Sequence, residues 1–150
     1  MLARIVQDGL SAVEQKCRAY ISFDYDYDRD LKNLLLGQSR NDDSPFFIED
    51  WSIKKATPSW QADARKRIRR SNVVIVICGR QTHQAVGVTR EIEIAREENI
   101  RFFLLRGRKD AMIRRPMGTS WWSEDLHTWT WNNLKRLTSP NPTPWWKTIW

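Results

Sequence analysis

The sequence has few of the residues that link a chain covalently or through metal. It contains two cysteines, Cys17 and Cys78, and two histidines, with no CxxC pair and no histidine cluster near either thiol. Neither a disulfide framework nor a zinc site is suggested, and both cysteines are expected to be buried or inert. Long apolar runs are absent as well: nothing approaches the roughly 18 residues that a membrane-spanning helix needs. The opening stretch MLARIVQDGLSAVEQK carries acids inside its apolar pattern, unlike a secretory signal. A cytoplasmic chain with no membrane partner is therefore expected.

What is present describes a folded domain. With 150 residues, 41% hydrophobic and 29% charged, the chain is long enough and apolar enough to bury one core unaided. Nine tryptophans are several times the ordinary usage, and the pairs Trp121–Trp122, Trp129–Trp131 and Trp145–Trp146 gather toward the C-terminus. Packing of the tail onto the domain is one account of them, and an exposed contact surface is the other. A net charge of +7 suits a phosphate-bearing partner but does not choose among nucleic acid, lipid and dinucleotide. The densest basic run, RKRIRR at 65–70, reads as the solvated face of a helix. It lacks the interleaved aromatics of single-strand binders, so nucleic acid is not an expected partner.

Leu2, Ile5, Val6, Leu10 and Val13 recur at helical spacing, so residues 1–17 read as an amphipathic helix ahead of the main domain. The strand candidates are RAYISF (18–23), PFFIED (45–50), VVIVIC (73–78), RFFLLR (101–106) and HTWTW (127–131). Between them lie helical patterns through Leu31, Leu34 and Leu35, over about 59–70, and from about Val88 to Glu98. Gly37 is the expected stop of the first, and Asp26 or Asp28 its cap. VVIVIC is uninterrupted and β-branched, as befits a central parallel strand covered on both faces. Such alternation predicts right-handed crossovers and a flavodoxin-like α/β sandwich: five parallel strands ordered 2-1-3-4-5, over residues 18–137. Residues 107–126 should form an irregular connection, and 138–150 a Pro- and Trp-rich tail.

Open sheets of this kind bind ligands beyond the carboxyl ends of their strands, where the strand order reverses. That rule selects the loops after the first three strands. They hold Phe23, Asp24, Tyr25 and Asp26, then Asp50, Trp51 and Ser52, then Thr82 and His83, with Glu91 just inside the next helix. A phospho-receiver would carry an aspartate at the end of the third strand, where Cys78 and Gly79 stand. A flavin-binding loop rich in glycine and hydroxyls is missing after the first strand. The four carboxylates of residues 24–30 would repel a phosphate there. Asp24 and Asp26 suit the shaping of their loop. Trp51 suits stacking on a base or packing in the core, and His83 suits a phosphate or ribose contact or a backbone-satisfied loop position.

The segments YISFDYD (20–26), EDWSI (49–53), RIRRSNVVIVICG (67–79), THQAVGVTREI (82–92) and TWTWNNLK (128–135) resemble, in order and spacing, the bacterial TIR-like domains grouped with Thoeris antiphage proteins. The resemblance spans roughly residues 18–137. It implies cleavage of the nicotinamide–ribose bond of NAD, consumed as substrate with no cofactor, to give ADP-ribose or a cyclised signalling nucleotide. It implies too that the essential acid follows the third strand in a WCxxE-like arrangement. GVTRE places Glu91 there, whereas Gly87 stands where TIR enzymes carry tryptophan. Phe23, Asp24, Tyr25, Asp50, Trp51, Ser52, Thr82 and His83, at or beside the loops that the sheet topology selects, are the candidate substrate-binding residues.

The chemistry suits one carboxylate. Loss of neutral nicotinamide leaves an oxocarbenium-like ribose, which a nearby acid stabilises, and the leaving group needs no proton. Without that position in the family pattern, Glu91 would read as a surface acid paired with a neighbouring arginine. The competing function is a non-catalytic module that self-associates or docks to an effector protein, a reading that Gly87 favours.

Overall fold

The computed structural model describes residues 16–49 and 58–140. Residues 1–15 of the helix expected over 1–17, most of the tail, and Asp50, Trp51 and Ser52 lie outside the described residues, while Cys17, given to that helix, opens the first strand instead. Five strands form one sheet: β1 (Cys17–Ser22), β2 (Phe46–Ile48), β3 (Val73–Cys78), β4 (Phe102–Arg106) and β5 (Leu126–Thr128). Every pairing is parallel and the order is β2-β1-β3-β4-β5, so the strand order reverses between β1 and β3, as the alternation of the sequence predicts.

Among the described residues four α-helices flank the sheet: α1 (Arg29–Ser39), α2 (Trp60–Arg69), α3 (Val86–Glu97) and α4 (Trp131–Leu137). The alternation of β3 sends its side chains into two separate cores. Val73, Ile75 and Ile77 join Leu31 and Leu35 of α1 and Leu134 and Leu137 of α4. Val74, Val76 and Cys78 join Ala64 and Ile68 of α2 with Val88, Ile92 and Ala95 of α3. All six residues of β3 are fully buried, which is why that run has no polar member. Both cysteines are free and buried, and burial pushes the Cys78 thiol up to about 12. No described helix is long and apolar enough to cross a membrane.

Several element ends shift by a residue or two, β2 keeping only Phe46–Ile48 of PFFIED, and two differences have a visible cause. Gly37 does not stop α1, which continues to Ser39; nothing lies within 4 Å of where a Cβ would stand, so the glycine is merely tolerated. The Arg40 and Asn41 N–H groups close the end onto the carbonyls of Gly37 and Gln38. The second difference is HTWTW, which leaves the strand after Thr128. Thr130 is extended and its hydroxyl accepts the Asn133 N–H at 3.1 Å, so the chain turns into α4 at Trp131. Trp129 and Trp131 pack on the α1/α4 core, and the Trp129 indole donates to Gln38 at 2.8 Å.

The basic run of α2 meets acids rather than solvent alone. Arg65 pairs with Glu97 at 2.5 Å and Glu98 at 2.6 Å, and Arg69 pairs with Glu98 at 2.6 Å, which ties α2 to the end of α3. Arg69 and then Arg65 hold the Glu98 carboxyl down to about 2. A depressed folded-state pKa gives stability that is present above the unfolded value and is lost as pH falls. Glu98→Gln should therefore lower the urea midpoint at neutral pH, and the gap to wild type should close as pH drops toward about 2. A gap independent of pH would contradict this account of the pair.

Candidate functional site

The loops after β1 and β3 enclose a cleft of about 410 Å³ at the carboxyl edge of the sheet. Residues 24–27 form one wall, and Gln81, Gln84, Ala85, Val86 and Gly87 form the other. This is the switch point between β1 and β3, where the topology predicts a ligand. The first wall is a tight turn. Asp24 Oδ1 accepts the Asp26 N–H at 3.1 Å, and the Asp24 carbonyl accepts the Asp28 N–H at 2.9 Å. Arg29 covers the Tyr25 ring, with its guanidinium carbon 3.9 Å from the centroid, and donates to the Tyr25 carbonyl at 3.1 Å.

A buried carboxylate fixes the two walls to each other. Asp28 stands at the N-cap position of α1 but makes no side-chain cap bond. Its Oδ2 accepts the Thr82 hydroxyl at 3.2 Å and its Oδ1 accepts Arg108 Nη2 at 3.1 Å. The Thr82 oxygen in turn accepts the Gly79 N–H at 2.7 Å, and Arg108 also holds the Tyr27 carbonyl at 3.1 Å and Asp30 at 3.0 Å. Residues after β1, β3 and β4 thus meet at one carboxylate. Gly79 is required for the approach, because a Cβ there would lie 2.2 Å from Asp28 Oδ2. Burial raises the Asp28 pKa, while its bonds to Arg108 and Thr82 oppose that rise.

Behind this cleft, on the face of the sheet under α2 and α3, lies Glu91. It is 2% exposed, and its carboxylate interacts with the Tyr20 phenol of β1. Burial, followed by the charge and hydrogen bond of Glu91, pushes the Tyr20 phenol well above its ordinary pKa, against the nearby Arg67. On α3, Glu91 follows Gly87 by four residues, so the two share a helix face, with Gly87 at the cleft and Glu91 one turn deeper. The family model for the Thoeris protein ThsB, TIR-like domain, matches residues 20–111. The chain belongs to this family. The match takes in both walls of the cleft, Tyr20, Glu91 and Arg108, and stops before β5. No curated protein matches the chain.

In this TIR-like domain the candidate residues divide into several groups. Asp24 and Tyr25 line the cleft, while Phe23 packs against the opposite, α1/α4 core, its ring centroid 6.1 Å from that of Tyr25. Thr82 is fully buried in the Asp28 network, so its hydroxyl serves the frame of the cleft. His83 is half-buried on the short turn Thr82–Gln84, and its Nδ1 has no hydrogen-bond partner among the described residues. Glu91 is a buried acid, not the exposed surface acid of the alternative reading. Sequence reasoning missed the Tyr20 contact, although RAYISF places Tyr20 and Ser22 together on one strand face. It also missed Arg108, which stands 80 residues from Asp28 and left no local pattern to read. Among the described residues no three His, Cys, Asp or Glu side chains form a metal-ligand group.

Proposed function

We propose that this TIR-like domain cleaves the nicotinamide–ribose bond of NAD in cytoplasmic antiphage defence, leaving a linear or cyclised ADP-ribose-type signalling nucleotide. The observation that carries the reading is the buried Glu91, beside Tyr20 and one helical turn behind the wall of a cleft at the β1/β3 switch point. A preorganised carboxylate in a water-poor site acts strongly on charge that develops in the transition state. As the bond to nicotinamide lengthens, positive charge grows on the ribose, and Glu91 is the group that would oppose it. The cleft volume lies within the range typical of small-molecule sites.

The direct test incubates the purified protein with NAD, with and without lysate from phage-infected cells, and follows free nicotinamide by chromatography. Release in either condition supports the reading, and its absence in both counts against it. A second reading, self-association or docking to an effector without catalysis, draws on the stacked pair Trp121 and Trp122. Their ring centroids are 3.7 Å apart and the side chains are 61% and 80% exposed. Loss of assembly in the double alanine variant, with no nicotinamide released by wild type, would favour it.

A further inference from the structure

Ser22 closes β1 at its carboxyl end. Ala19 and Ile21 of this strand, and Phe23 just beyond it, face the α1/α4 core, and Tyr20 faces the α2/α3 core. Side chains alternate across a strand, so Ser22 lies on the side of Tyr20, about 7 Å further toward the cleft end. Its register partner is Val76, which belongs to the same α2/α3 core. The side chain is 0% exposed, yet its hydroxyl has no hydrogen-bond partner among the described residues. A buried hydroxyl left unsatisfied costs stability that an alanine methyl at the same place would not.

The neighbours of that hydroxyl suggest what it is for. Glu91 reaches Tyr20 on this same face, and Ser22 is the next inward residue of β1 toward the cleft. Two residues on, Asp24 lines the cleft. On α3, the residue one turn before Glu91 is Gly87, so no α3 side chain at that position stands between the cleft and the carboxylate. The Glu91 carboxylate of α3 and the Ser22 hydroxyl of β1 both lie on the α2/α3 face of the sheet, and together they suit the vicinal hydroxyls of a ribose: one accepts hydrogen bonds only, and the other both donates and accepts.

We infer that the Ser22 hydroxyl is a ribose-binding group of the nucleotide site, acting with Glu91 of α3. This rests on the reading that a nucleotide enters beside Glu91, but it does not need the nucleotide to be cleaved. Ser22 takes a ribose hydroxyl as the partner it lacks among the described residues.

Calorimetric titration of wild type and Ser22→Ala with ADP-ribose and with ADP tests this. ADP lacks the distal ribose, so it reports the rest of the site. Ser22→Ala should bind ADP-ribose about five- to tenfold more weakly, the size of one hydrogen bond, and bind ADP as wild type does. Its thermal midpoint should equal or exceed that of wild type. Unchanged ADP-ribose affinity would overturn the inference. So would equal weakening of both ligands with a lower midpoint, which marks a structural role, or failure of wild type to bind ADP-ribose at all. A selective loss of ADP-ribose affinity in a protein that never releases nicotinamide would uphold the ribose contact while removing the cleavage reading.

Discussion

Arg108→Met should lower the stability of the protein by about 3 kcal/mol at neutral pH, a fall of roughly 6–12 °C in thermal midpoint for a chain of this size. The effect comes from what the arginine leaves behind. Asp28 is 1% exposed, and without Arg108 its carboxylate keeps only the Thr82 hydroxyl as a side-chain donor among the described residues. An uncompensated buried charge is costly, whereas the exposed half of the network, Arg108 with Asp30, contributes little. Arg108→Lys keeps the charge but not the planar fork that reaches Asp28, Asp30 and the Tyr27 carbonyl together, so it should fall between wild type and Met.

The pH dependence fixes the cause. Burial raises the Asp28 pKa in the folded state, so its own protonation favours the fold as pH falls. Removing Arg108 raises that pKa further, and the protonated acid needs no counter-charge. The deficit of Arg108→Met should therefore shrink on acidification, read by thermal or urea unfolding across the acid range. A deficit that stays constant with pH would assign the loss to the packing of the arginine stem instead.

The same network shows where a sequence stops being informative. β3 is legible residue for residue, because a strand buried on both faces leaves no polar position in VVIVIC and no other element of that length looks the same. The strand order follows from the alternation of strands and helices, and the position of the cleft follows from that order. Local chemistry is harder to read. Asp28 has the sequence position of a helix cap, yet its carboxylate turns to partners on β3 and β4 loops that only the folded sheet brings near. TWTW has the period of a strand, but the Thr130 cap ends the strand and starts α4. The spacing of GVTRE gives the place of Glu91 on its helix; its burial against Tyr20 depends on how α3 lies over β1.

Glu91→Gln keeps the shape of the side chain and an acceptor oxygen beside Tyr20 while removing the charge. The fold should survive, with a circular dichroism spectrum like that of wild type, and turnover of NAD should fall by about 100-fold or more, the size seen when one preorganised electrostatic group is lost. Glu93→Gln is the matched control. It lies on the same helix, is exposed, and pairs with Arg90 at 2.9 Å, so its activity should stay near that of wild type. The most direct measurement is nicotinamide release from NAD by wild type, Glu91→Gln and Glu93→Gln side by side, each supplied with lysate from phage-infected cells. Release by wild type and Glu93→Gln, with Glu91→Gln lower by two or more powers of ten, is the predicted result; equal release by all three proteins would contradict the role given to Glu91.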